Sequence, residues 1–240
     1  MTALQVAIGS LNDLVDAPLD AGRKPGKPIP SGLVTTTLAR ALVVGGTVLG
    51  AVLSVLGAPP GAGVVMLGLA GLVLAIGFAY DLRAKGTPWS WLPFALGIPL
   101  LPVFGWYGAS GSLPSWFGAL VPTAAIAGSA LAIANARADL ERDADAGVRS
   151  VAIRLGTDRS WRLHAVLWVV VVAIAIGWLV ALGSDARAVL AVGAAAGLVI
   201  AGVVVGRQGS PARRERAWEI ESIAGVALAV TWLLAVGSAP

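Results

Sequence analysis

Apolar residues run in long unbroken stretches along this chain, and polar residues gather between them. Seven stretches, at 33–57, 62–80, 89–108, 114–134, 162–183, 186–206 and 217–237, are apolar over about 18 residues or more, enough for a helix to cross a bilayer. None alternates as the wall of a barrel does, so helices are expected. The opening MTALQVAIGSL is also apolar, but it is too short to cross about 30 Å of hydrocarbon and lacks the basic start and cleavage site of a signal peptide. It reads as the inner half of a spanning helix. The predicted fold is therefore all-α: a polytopic integral membrane helical bundle of about seven complete spans plus a partial N-terminal helix, in a single transmembrane domain over 1–240.

Composition strengthens this picture. Of 240 residues 57% are hydrophobic and 12% charged, and the mean hydropathy is +0.84, which excludes a soluble domain built around one core. Cysteine is absent, so disulfide and thiolate chemistry are excluded too. Glycine, at 31 copies, lies within spans beside Ala and Ser and lets helix backbones approach closely.

Charge then orients the bundle. If the spans alternate, 16 of the 17 Lys and Arg residues fall on one side and only Arg187 on the other. The positive-inside rule places the long charged loops in the cytoplasm and the C-terminus outside. Trp89, Trp91, Trp161 and Trp218 lie near the inner boundary and Trp106, Trp116 and Trp178 near the outer one, as an aromatic belt requires. The basic balance is thus mainly a topology signal, and nucleic acid is not an expected partner.

One segment resists that description. LNDLVDAPLDAGRKPGKPIPSG, residues 11–32, sets three carboxylates and three bases beside a membrane. On a helical wheel Asn12, Asp16 and Asp20 fall within about 80° of one another and Asp13 about 100° from Asn12, so all four share a face. The spacing recurs in NARADLERDADAG, where Asn135, Asp139 and Asp143 again stand at i, i+4 and i+8. Carboxylates stacked in this way repel one another. A hard divalent cation offsets that repulsion: Mg²⁺ takes carboxylate oxygens and completes its shell with water and phosphate oxygens. No His or Cys accompanies either row, which argues against zinc or copper. Two opposed rows would hold Mg²⁺ ions around a diphosphate, through Asp13, Asp16 and Asp20 on one side and Asp139 and Asp143 on the other. The bases Arg23, Lys24 and Lys27, Lys85 in YDLRAKGTPW, and Arg149 would donate to the remaining phosphate oxygens.

These segments resemble the signatures of the UbiA-type membrane prenyltransferases. NDLVDAPLDAGRKPGKPIPSG is similar to NDxxDxxxD followed by RPIPSG; NARADLERDADAGVRSVAIRLG is similar to the second signature, NxxxDxxxDxxxG with its apolar run ending in LG; YDLRAKGT fits the third cytoplasmic segment. Lys27 stands where the family commonly has Arg, which keeps the charge but loses the bidentate fork, and Arg142 stands where Gly is common.

The resemblance implies a nine-helix fold with a lateral opening to lipid, and Mg²⁺-dependent transfer of an isoprenoid from a polyprenyl diphosphate to a small-molecule acceptor; the charge asymmetry places that site in the cell membrane, toward the cytoplasm. Asp16, Asp20, Asp139 and Asp143 would be catalytic through the metal. Asn12, Asn135, Arg23, Lys27, Lys85 and Arg149 would meet the diphosphate. Tyr80 and Asp81 divide between a contact to the cation or acceptor and a plain interfacial role, and His164 reads as structural. An aromatic acceptor is expected from the KPIPSG run alone. Relative to the family, the first helix and the outer half of the second are missing, so a truncated start and an inactive short chain are expected alternatives. A membrane transporter and a non-catalytic homologue stay open. The DxxDGxxAR-type run of CDP-alcohol phosphotransferases is not found.

Overall fold

The computed structural model describes all residues except Arg23, Pro25, Gln208 and 238–240. Most of the described residues are helical, with no strand among them. The elements are α1 (Thr2–Asp20), α2 (Thr36–Leu56), α3 (Gly63–Ala79) continued by a π-helical turn (Tyr80–Ala84), α4 (Leu92–Ser110), α5 (Phe117–Ala138), α6 (Leu140–Asp145), α7 (Val151–Leu155), α8 (Thr157–Ala181), α9 (Ala186–Val205) and α10 (Pro211–Gly237). Seven helices among the described residues are long and apolar enough to cross a membrane: α2, α3 with its π turn, α4, α5, α8, α9 and α10. These are the seven expected spans.

Their ends differ from the expected ones. The apolar stretches stop at 134 and begin at 162 and 217, whereas α5 continues to Ala138, α8 begins at Thr157 and α10 at Pro211. Hydropathy marks where the bilayer lies, while a helix continues wherever its backbone bonds are made. The extra turns carry Asn135, Arg137 and Arg214.

The chain forms two compact units, Met1–Lys85 with Pro99–Val121, and Gly86–Ile98 with Pro122–Pro240. In the first, α1 lies against α2 and α3 at glycines. A Cβ added to Gly46 would meet Ala3 O at 2.7 Å, and one at Gly77 would meet Ile8 Cδ1 at 2.5 Å. Removing the side chain at these points is what lets the backbones approach. Leu4 and Ala7 are thereby fully buried with Met66, Ala70, Val73 and Phe104. Thr35 begins α2 by accepting from Leu38 N at 3.1 Å, so the loop after α1 ends at a capped helix.

In the second unit the core is partly polar. Glu221 of α10 accepts from Trp168 Nε1 at 2.9 Å and lies 2.6 Å from His164 Nε2, both on α8, and Glu221 is only 1% exposed. Gly202 of α9 leaves the room for it, since a Cβ there would come within 2.6 Å of Glu221 Cγ. His164 is 2% exposed and held within the helix packing.

Candidate active site

The helix α1 runs through Asp20, so the first acidic row forms as the wheel requires, and Pro18 falls only in its last turn. Polar residues at Asn12, Asp13, Asp16 and Asp20 line one flank, while Leu4 and Ala7 face the core. The loop that follows returns toward that flank: Lys27 Nζ lies 3.3 Å from Asp13 Oδ1, 3.5 Å from Asp16 Oδ2 and 3.1 Å from Asp20 Oδ2. Burial works against the charge on Lys27. The hydrogen bond and field of Asp20, with Asp13 and Asp16, outweigh it and hold the ammonium above the ordinary lysine range.

The π turn supplies the remaining contacts. Lys85 N closes it on Tyr80 O at 2.9 Å, and the inserted residue re-aims the side chains that follow α3. Lys85 Nζ reaches Asp16 Oδ2 at 2.5 Å, and Asp81 Oδ1 accepts from Asn12 Nδ2 at 2.8 Å. Asp81 is 4% exposed. Asn12, Asp13, Tyr80 and Asp81 border a cavity of about 530 Å³, together with Gln5 and Gly9. The structure therefore brings Asn12, Asp13, Asp16, Asp20, Lys27, Lys85 and Tyr80 into one neighbourhood. Arg23 lies outside the described residues.

The second row is arranged differently. The i, i+4, i+8 spacing of Asn135, Asp139 and Asp143 does not lie on one unbroken helix: α5 ends at Ala138, Asp139 leaves the helix with φ −96° and ψ 8°, and α6 begins at Leu140. Asp143 N still bonds Asp139 O at 2.8 Å, so the break is one residue wide. Asn135 ends its row on α5, and Asp143 sits on the short α6. Asp139 pairs with Arg142, and both are partly exposed. Arg149 is exposed and joins Gly86 O through its backbone N at 3.3 Å.

Sequence reasoning counted Arg137 and Arg214 only as topology charges, yet both are buried beside this second row. Arg137 NH1 donates to Thr157 O at 2.5 Å and Ser160 Oγ at 2.8 Å, and NH2 to Gly206 O at 3.0 Å. Arg214 Nε donates to Arg137 O at 2.8 Å and NH1 to Gly209 O at 2.8 Å, while NH2 pairs with Glu141. Glu221 was missed as well; an acid inside an apolar run was the signal that could have found it.

Among the described residues no three acidic or imidazole groups already enclose a metal position. The fit of Mg²⁺ rests instead on donor chemistry. Every candidate ligand is a carboxylate oxygen, and three of them converge on one ammonium, Lys27 Nζ, which stands in for a shared cation. The residues present fit the ion.

A family profile described as the UbiA prenyltransferase family matches residues 1–235. The chain is 28% identical over 165 residues to a digeranylgeranylglyceryl phosphate synthase of Sulfurisphaera tokodaii, covering 68% of this chain and 57% of that protein. It is 31% identical over 156 residues to a chloroplastic chlorophyll synthase of Avena sativa, covering 62% of this chain and 41% of that one. The chain thus spans about half the length of the curated relatives it matches. Among solved structures, a UbiA homologue of Aeropyrum pernix K1 in its apo form aligns over 97% of this chain and 85% of its own, with a TM-score of 0.74 at 19% identity. A structure described for digeranylgeranylglyceryl phosphate synthase in membranes aligns over 97% and 81%, with a TM-score of 0.71 at 17% identity. At such identities these two likenesses speak to the fold.

Proposed function

The chain belongs to the UbiA prenyltransferase family, and from that premise we propose that it is an intramembrane prenyltransferase, moving a prenyl group from a polyprenyl diphosphate to a small-molecule acceptor. The observation that carries this reading is the convergence of Asp13, Asp16 and Asp20 on Lys27, with Lys85 on Asp16. A row of carboxylates that gathers cations is what a metal-bound diphosphate needs beside it. The relatives support prenyl transfer in general terms, since two bear the names of synthases in this family's range.

In this reading Asp13, Asp16, Asp20, Asp139 and Asp143 would hold Mg²⁺, with Asn12 and Asn135 orienting the metal's ligands or binding phosphate. When bound, Mg²⁺ neutralises the charge that grows on the diphosphate as the allylic C–O bond breaks. Lys27, Lys85, Arg23 and Arg149 would donate to the diphosphate oxygens. The Lys27 and Lys85 ammonium groups, which neutralise the acids on their own, turn toward the diphosphate once it arrives. The allylic C–O bond breaks with its electron pair leaving on the diphosphate, the allylic carbon accepts an electron pair from the acceptor, and the proton the acceptor loses passes to the released diphosphate or to water. Apolar span walls hold the prenyl tail and exclude water from the cation.

The acceptor we propose is aromatic, on the strength of the KPIPSG run alone. The active site is proposed to open toward the cytoplasm and the C-terminus to lie outside, on the asymmetry of Lys and Arg. The test incubates the full chain in lipid nanodiscs with prenyl diphosphates of several lengths, with and without a chelator. The acceptor panel sets an aromatic acid beside a glyceryl phosphate lipid and a tetrapyrrole. A chelator-sensitive prenylated product supports the reading. Ion transport by reconstituted protein without any prenylated product overturns it.

A further inference from the structure

We propose that Arg214 is a positioning residue that fixes the second acidic row from both sides of Asp139. The inference rests on the reading of Asp139 and Asp143 as metal-holding carboxylates. A helix end leaves its last carbonyls without intrahelical partners, and the end of α5 comes one residue before Asp139. One of those carbonyls, Arg137 O, is taken by Arg214 Nε at 2.8 Å. The same guanidinium pairs through NH2 with Glu141, on the far side of Asp139, and anchors itself through NH1 on Gly209 O at 2.8 Å. Three nitrogens of one planar group therefore serve three separate partners. Residues 137 and 141 are both held by a side chain of α10, and Asp139 is the residue between them that has left the helix.

Arg137 makes the hold rigid at its own end. Its side chain reaches Thr157 O and Ser160 Oγ at the start of α8 and Gly206 O after α9. Both guanidinium groups are buried, Arg137 at 2% and Arg214 at 7% exposure. Burying two cations is costly unless each finds good partners, and two of the three partners of Arg214, Arg137 O and Glu141, flank Asp139. The side chain of Asp139 stays outside this hold, paired with the partly exposed Arg142. That pair is easily exchanged for another cation. The backbone is fixed and the carboxylate is free to change partner, the combination that a ligand-binding residue requires.

The planar fork matters here. An ammonium is a point charge without fixed donor directions, so Arg214→Lys keeps the charge facing Glu141 but cannot also bond Arg137 O and Gly209 O in the same geometry. The test uses the full chain in nanodiscs, with Mn²⁺ and inorganic pyrophosphate as probes. Mn²⁺ binding is read by electron paramagnetic resonance, and exchange of the Asp143 amide, bonded to Asp139 O, by hydrogen exchange. Arg214→Lys is expected to raise the half-saturating Mn²⁺ concentration about tenfold or more, as loss of a residue that orients a ligand does. It also speeds exchange at Asp143 and leaves the acceptor KM unchanged. Glu141→Gln, which keeps the other two bonds, is expected to shift both readouts in the same direction by less. Folded Arg214→Lys protein with wild-type Mn²⁺ binding overturns the proposal. If Arg214→Lys does not fold, wild-type Mn²⁺ binding and wild-type exchange in Glu141→Gln overturn it equally. Pyrophosphate-dependent Mn²⁺ binding that is unaffected by Asp139→Ala overturns the underlying metal reading, and this inference with it.

Discussion

Lys85 Nζ stands 2.5 Å from Asp16 Oδ2, across 69 residues of sequence. The contact ties the π turn after α3 to the middle of the acidic row on α1. Asp16 is the carboxylate shared by two ammonium groups, because Lys27 also reaches it.

That sharing makes Lys85 a donor held ready for the diphosphate. Lys85→Ala is expected to lower kcat/KM for the prenyl diphosphate about tenfold to a hundredfold, the worth of one charge-assisted hydrogen bond. The acceptor KM should not change. Steady-state kinetics with each substrate varied in turn checks this.

Lys27 occupies the position of a shared cation, so its removal should act in two directions. Without diphosphate, Lys27→Met is expected to bind Mn²⁺ more tightly than the wild type, since Asp13 and Asp20 lose their ammonium partner and Asp16 keeps only Lys85. With diphosphate present, the same variant should show a KM raised about tenfold. Lys27→Arg restores the charge and offers a bidentate fork, and is expected to keep activity. Metal titration with and without pyrophosphate distinguishes these effects.

The acidic row depends on α1 sitting close to α2. A Cβ at Gly46 would lie 2.7 Å from Ala3 O, and a backbone atom cannot turn aside as a side chain can. Gly46→Ala is expected to cost about 1–3 kcal/mol of stability, the range for overpacking. It should also lower activity by displacing α1. A Cβ at Gly77 would meet Ile8 Cδ1 at 2.5 Å, Cγ1 at 2.6 Å and Cγ2 at 2.9 Å, so Gly77→Ala must displace the whole branched side chain and is expected to destabilise as well. Thermal unfolding in detergent, paired with turnover, measures both.

Glu221 is buried against His164 Nε2 and accepts from Trp168 Nε1. His164→Leu is expected to destabilise the protein by about 3 kcal/mol by leaving the acid without a main partner. The double change His164→Leu with Glu221→Leu should recover part of that loss. A stability change equal to the sum of the two single changes would contradict the pairing.

Hydropathy made the seven spans readable because membrane helices must hide their backbone bonds within a long apolar segment. The first acidic row was equally plain, since i, i+4 spacing on a helix fixes a face whatever surrounds it. The break at Asp139 was not. Its neighbours Ala138, Leu140, Glu141 and Arg142 are good helix formers, and what goes with the break is Arg214, 75 positions beyond Asp139, taking a carbonyl at the end of α5. The Asn12–Asp81 bond and the π turn are long-range in the same sense: nothing near Tyr80 in sequence announces an inserted residue. Arg137 and Arg214 look like any other inner-boundary charges until their partners are seen.

The central claim is that the acidic rows serve a metal-bound diphosphate. The most direct test is release of pyrophosphate from a radiolabelled prenyl diphosphate by the full chain in nanodiscs, titrated with Mg²⁺, in the wild type, Asp16→Ala and Asp143→Ala. The account predicts Mg²⁺-dependent release in the wild type and a loss of at least about a hundredfold in each variant, with membrane insertion intact. Release that persists in a chelator, or that survives in both variants at the wild-type rate, contradicts it.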